Sequence, residues 1–97
     1  MLSEFAARQA ISLGCERAGV TIRALAFFDL PSPCRVLFNN RSIPLPQGEF
    51  LCLTIEGEYG DKTAIEQDWR RMTAAELENI TYEFGIDWAD TVRHFSE

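Results

Sequence analysis

The residues that could do chemistry are few and far apart. His94 is the only histidine, so a Cys-His or Ser-His-Asp site would have to assemble from groups distant in sequence. A solvated imidazole is the simpler expectation. Cys15, Cys34 and Cys52 lie 19 and 18 positions apart, too wide for a paired-thiol zinc knuckle or redox motif. Three thiols cannot close into a disulfide set either, and buried free cysteines in a reducing compartment are expected. Cys34 and Cys52 fall on neighbouring strand candidates among apolar residues, which favours inert packing over a reactive thiolate. Glu56, Glu58 and Asp61 gather at a turn, but their order lacks the alternate oxygen ligands around a glycine that a calcium loop needs. The glycines are scattered as caps and turns, with no phosphate-binding loop. The sequence therefore predicts no catalytic residue, no metal ligand set and no cofactor.

Charge is more informative. The formal net charge of −6 is divided unevenly along the 97 residues. Residues 1–48 carry five arginines against three acids, a net of +2, whereas residues 49–97 carry twelve acids against four basic residues, a net of −8. An acidic field repels phosphate backbones and steers basic surfaces toward itself.

The elements that must carry these groups follow from periodicity. A helix is predicted from about Ser3 to Ala18, capped by Ser3 and closed by Gly19 in the left-handed conformation. Leu2, Ala6, Ala7, Ala10, Ile11 and Leu13 share its apolar face, Gly14 permits close approach to a sheet, and Phe5 falls on the polar side. From Val20 to Leu30 the period becomes two. Both faces turn apolar at Leu25 to Phe28, as in a central strand covered on two sides or a dimer seam. Strands follow over Cys34 to Phe38 and Arg41 to Leu45, joined by an Asn39-Asn40 turn, the second held to an edge by Pro44 and Pro46. A fourth strand spans Glu49 to Glu58, and a fifth runs from Thr63 to about Trp69. Thr73-Ala74-Ala75-Glu76 is a capping box opening a helix with Leu77, Ile80, Thr81 and Phe84 inward and Gly85 at its end. Asp87 caps a last helix with Trp88, Val92 and Phe95 inward.

The expected architecture is one α+β domain over residues 1–97: an N-terminal helix, an antiparallel sheet of four to five strands and two short C-terminal helices. Ser12-Leu13-Gly14-Cys15 faintly echoes a lipoprotein cleavage site, but Glu4, Arg8 and Gln9 interrupt any apolar region before it. No run approaches the roughly 18 apolar residues of a membrane span, so a cytoplasmic protein without a membrane partner is expected.

The final helix pair superficially resembles a helix-turn-helix. Its would-be reading helix carries Asp87 and Asp90 against Arg93, which argues against direct nucleic-acid binding. As a protein-binding surface the same acids make sense. Glu76, Glu78 and Glu83 lie off the buried stripe, Asp87 and Asp90 follow, and Glu66 and Asp68 precede them beside Trp69 and Arg70-Arg71. An aromatic and arginine rimmed by acids has the composition of an interface hot spot; the alternative is a solvated face with Trp69 tucked into the core. The leading expectation is a non-enzymatic interaction domain, an inhibitor or adaptor offering Glu66, Asp68, Trp69, Glu76, Glu78, Glu83, Asp87 and Asp90 to a basic, nucleic-acid-handling protein. In size and charge the chain resembles the small acidic inhibitors of phages and mobile elements, anti-CRISPR and immunity proteins among them, though no motif ties it to a family. The alternatives are a structural subunit or homodimer joined through Leu25 to Phe28, and a small enzyme or ligand-binding module.

Overall fold

Local signals set the ends of the first helix. Ser3 takes extended backbone angles and its hydroxyl accepts from the Ala6 N–H at 3.1 Å, which satisfies one donor of the first turn. Gly19 closes the helix at φ 71°, and Val20 N–H reaches back to the Cys15 carbonyl at 3.0 Å. The computed structural model describes residues 1–57 and 60–83. Its elements are α1 (Glu4–Ala18), β1 (Thr21–Leu30), β2 (Cys34–Phe38), β3 (Arg41–Leu45), β4 (Gly48–Gly57), β5 (Gly60–Gln67), a 3-10 turn (Trp69–Arg71) and α2 (Ala74–Glu83). The class is α+β as expected, but the strands divide into two sheets. The predicted helix from Asp87 lies outside the described residues, as do Phe84, Gly85 and His94.

The larger sheet is antiparallel in the order β1-β4-β5. This corrects the expected centre: β4, not β1, is the middle strand, and Phe50 to Ile55 are buried without a break. β1 lies at the sheet edge with Ala24 to Phe28 half-buried on both faces. An apolar run on both faces fits an edge strand as well as a central one, so periodicity alone does not place it. β2 and β3 form their own hairpin, inserted between β1 and β4, with Asn39 and Asn40 both at positive φ in the turn. Cys34 and Cys52 consequently sit in different sheets. Cys34 is exposed rather than buried, while Cys15 and Cys52 are buried as free thiols.

Register places Leu25, Phe27, Leu51, Leu53 and Ala64 on one face of the larger sheet, and Ala26, Phe28, Phe50, Cys52, Thr54, Thr63 and Ile65 on the other. The first face meets α1, since the Arg8 guanidinium lies 4.8 Å over the Phe27 ring. On α1 the buried residues are Ala7, Ala10, Ile11, Gly14 and Cys15. Leu13 and Phe5 are exposed, so the buried stripe is rotated from the one anticipated. Gly14 allows a close approach not to the sheet but to α2: a Cβ there would stand 2.5 Å from the Glu78 carbonyl oxygen and overlap the Thr81 hydroxyl. The hairpin contributes Ile43 and Leu45 to the same core. On the second face the Thr54 and Thr63 hydroxyls are buried and hydrogen-bond each other at 2.8 Å, so neither is left unsatisfied.

Candidate functional site

The segment from β5 to α2 carries most of the anticipated partner-binding residues, and its path decides which face outward. β5 starts earlier than predicted and ends at Gln67, so Trp69 is not a strand residue. Asp68 adopts a left-handed conformation, φ 56° and ψ 37°, while its N–H donates to the Glu49 carbonyl at 2.9 Å. Aspartate tolerates this region better than most residues, and the turn redirects the chain. Trp69 therefore swings inward, edge-on to Phe27 with ring centroids 4.8 Å apart. It is only 1% exposed, so it packs the core and cannot anchor a partner at the surface. Arg70 covers its ring at 4.4 Å and bonds the Leu2 carbonyl, tying the N-terminus to this turn.

Thr73 then opens α2, accepting from the Glu76 N–H at 3.1 Å. Leu77 and Thr81 are buried and Ile80 is half-buried, which fixes the outward face. Glu76 and Glu83 lie on that outward face, exposed, with Asn79 between them. Two helical turns separate them, a rise of roughly 10.5 Å. Glu78 points elsewhere: it is half-buried and ion-paired with Arg17 of α1, whose guanidinium also stacks 4.3 Å over Tyr82. Glu66 is half-buried on β5, opposite Leu51. Asp87 and Asp90 lie outside the described residues.

Several of the acids in the second half of the chain pair with the chain's own arginines. Arg23 pairs with Glu56 at 2.9 Å and lies 3.7 Å from Asp61. It can do so because the β1–β4 register shifts between Ile22 and Ala24, leaving Arg23 as an extra, exposed residue of the ladder. Arg70 Nε stands 2.6 Å from Glu49 Oε2, an ion pair by distance without the alignment of a hydrogen bond. Of the anticipated partner-binding residues, Glu78 is paired with Arg17, Trp69 is buried and Glu66 is half-buried. Asp68, Glu76 and Glu83 have no ion-pair partner among the described residues.

Sequence reasoning missed two exposed positive charges, one on each face of the β2–β3 hairpin. Arg35 and Arg41 on the β2–β3 hairpin are both exposed and likewise have no ion-pair partner among the described residues. Leu37, between them in the hairpin, is 75% exposed. The signal was available: residues 31–47 contain two arginines and no acid.

Among the described residues no three His, Cys, Asp or Glu side chains converge on a possible metal position, and no helix is long and apolar enough to cross a membrane. Burial raises the Cys15 thiol and pushes Cys52 up to about 12, so both stay protonated and unreactive near neutrality. The fold and site together define a small α+β domain with charged surface patches. Comparison with known proteins finds no matching family model, no matching curated protein and no matching solved structure.

Proposed function

We propose that the chain is a non-enzymatic protein-interaction domain, an inhibitor or adaptor that offers an acidic surface to a basic protein, of the kind that handles nucleic acid. The observation carrying this reading is the exposure of Asp68, Glu76 and Glu83 without ion-pair partners among the described residues, while Glu49, Glu56, Asp61 and Glu78 are paired within the fold. Carboxylates left in water keep their field available to a partner, and the net charge of −6 adds long-range attraction for basic surfaces. The same field disfavours direct contact with nucleic-acid phosphates. The residues assigned to the surface are Asp68, Glu76 and Glu83, with Asp87 and Asp90 kept as candidates from sequence. Trp69 and Glu78 are left out because the core and Arg17 already occupy them, and Glu66 because it is half-buried on β5.

Immobilised wild type and a Glu76→Arg/Glu83→Arg variant, compared for capture of host proteins at low and high salt, test the reading. A basic protein retained by the wild type at low salt, lost at high salt and lost from the variant is the expected result. Steering of this kind is screened over about 8 Å at physiological ionic strength. Equal capture by both forms would sink it.

A further inference from the structure

The larger sheet has an open edge along β1. The Glu49 carbonyl accepts from the Asp68 N–H, so the backbone groups of Glu49 point toward β5. Asp29, its partner on β1, therefore sits in a non-hydrogen-bonded pair, and its own N–H and C=O point away from β4. Alternation along the strand gives Phe27 and Leu25 the same outward orientation. None of the three has a hydrogen-bond partner on that side among the described residues. The opposite edge of the sheet, β5, carries Asp61, Lys62 and Glu66, the kind of residue that keeps foreign strands from pairing. β1 lacks this protection over its middle. Ala24 to Phe28 are uncharged and half-buried on both faces, with Arg23 and Asp29 only at the ends.

We propose that β1 pairs antiparallel with β1 of a second copy about a two-fold axis at Ala26, joining two three-stranded sheets into one of six strands. The strand's own sequence selects this partner and register. Outward-pointing residues must pair with one another, so the axis has to fall on a residue. At Ala26, Leu25 faces Phe27 of the second copy and exchanges both N–H···O bonds with it. On the other face of the sheet Ala24 leaves room for the Phe28 ring of the second copy, and Ala26 faces itself. An axis at Phe27 would set Asp29 against Leu25, and one at Leu25 would set the bulged Arg23 against Phe27. Either places a charge against an apolar residue, which is costly. The Ala26 register alone pairs five uncharged residues. The interface is isologous and uses both open edges, and the edges left outside are the charged ones of β5, so assembly stops at two copies. It involves none of Asp68, Glu76 and Glu83, and so goes beyond the partner-binding reading.

The test reads register as well as mass. In a Cys34→Ala background, where the remaining thiols are buried, Ala26→Cys is oxidised under native conditions. Residues facing each other in a non-hydrogen-bonded pair have Cα atoms about 4.5 Å apart, within disulfide reach. Ala24→Cys is the control, since its two copies would stand four ladder steps apart, roughly 13 Å. A covalent dimer forms at residue 26 and not at residue 24. Sedimentation of the wild type in reducing buffer, over a concentration series, shows a monomer–dimer equilibrium. Ala26→Lys and Ala26→Glu each dimerise at least about tenfold more weakly, because like charges meet at the axis. An equimolar mixture of the two recovers the dimer, which also shows that both variants fold. A wild type that stays monomeric at every concentration, a mixture that fails to recover, or cross-linking at residue 24 as readily as at 26 each overturns the proposal. The first of these would leave the open edge to a strand of a different protein. Every variant keeps Asp68, Glu76 and Glu83, so capture of a basic protein is expected to persist whether or not the dimer forms, and the two readings fail separately.

Discussion

Gly14 of α1 and Thr81 of α2 meet at the crossing of the two helices, with no room for a side chain between them. A Cβ on Gly14 would overlap the Thr81 hydroxyl and stand 2.5 Å from the Glu78 carbonyl oxygen. Thr81 is held in place, donating to the Leu77 and Glu78 carbonyls at 3.1 and 2.8 Å. In an exposed helix Gly→Ala stabilises by about 1 kcal/mol. Here the sign reverses. Gly14→Ala is expected to cost about 3 kcal/mol by overpacking, lowering the melting temperature by about 15 °C. Adding Thr81→Ala recovers only part of this, because the Glu78 carbonyl belongs to the backbone. Urea denaturation of the single and double variants checks both statements.

Thr54 and Thr63 form an isolated buried pair at 2.8 Å. Replacing Thr54 alone by valine keeps the shape but strands the Thr63 hydroxyl, at an expected cost of about 1–3 kcal/mol. Replacing both removes donor and acceptor together and is expected to be nearly neutral. A double-mutant cycle with strongly favourable coupling is the predicted outcome. Simple additivity would mean the hydroxyls do not depend on each other.

The cysteines divide by burial, and pH reads the division. Cys52 titrates near 12 in the folded chain against an ordinary value of 9.0, because burial penalises its thiolate. The folded state thus holds its proton to higher pH than the unfolded state. Its contribution is fully present below about pH 9 and is lost as pH rises toward 12, by about 1 kcal/mol per pH unit. Cys15 acts in the same direction. Urea midpoints are expected to fall between about pH 8 and about pH 10, less so in Cys52→Ala. A thiol reagent should modify the exposed Cys34 first in the native protein and all three cysteines in denaturant.

The features legible in the sequence are those fixed within a few residues. Ser3, Gly19, Thr73 and the Asn39-Asn40 turn each act through backbone groups one to four positions away, and each stands where the sequence put it. The apolar run of β4 was legible as a strand for the same reason. What was not legible depends on contacts across the fold. Nothing local states that Gly14 faces Thr81, that Arg17 reaches Glu78, or that Arg23 bulges toward Glu56 and Asp61. Of these, the Arg17–Glu78 pair is the one that took a residue from the acidic face. Trp69 was misplaced because the left-handed Asp68 turns the chain where a strand pattern would have continued. Cys34 was misplaced because an apolar strand in a two-stranded hairpin leaves positions open that a larger sheet would cover.

Asp68 joins geometry and charge in one side chain, and the two can be separated. Its φ of 56° suits asparagine as well as aspartate, so Asp68→Asn should preserve the turn and the N–H bond to the Glu49 carbonyl. Stability is expected to change by less than about 0.5 kcal/mol. Asp68→Val, β-branched and strained at this φ, should lose about 1–2 kcal/mol. If Asp68 belongs to the acidic face, the asparagine variant weakens low-salt capture of a basic protein by the worth of one exposed ion pair, up to about fivefold. The difference should vanish at high salt. Unchanged capture alongside an unchanged fold would assign Asp68 to the turn alone and leave Glu76 and Glu83 to carry the surface.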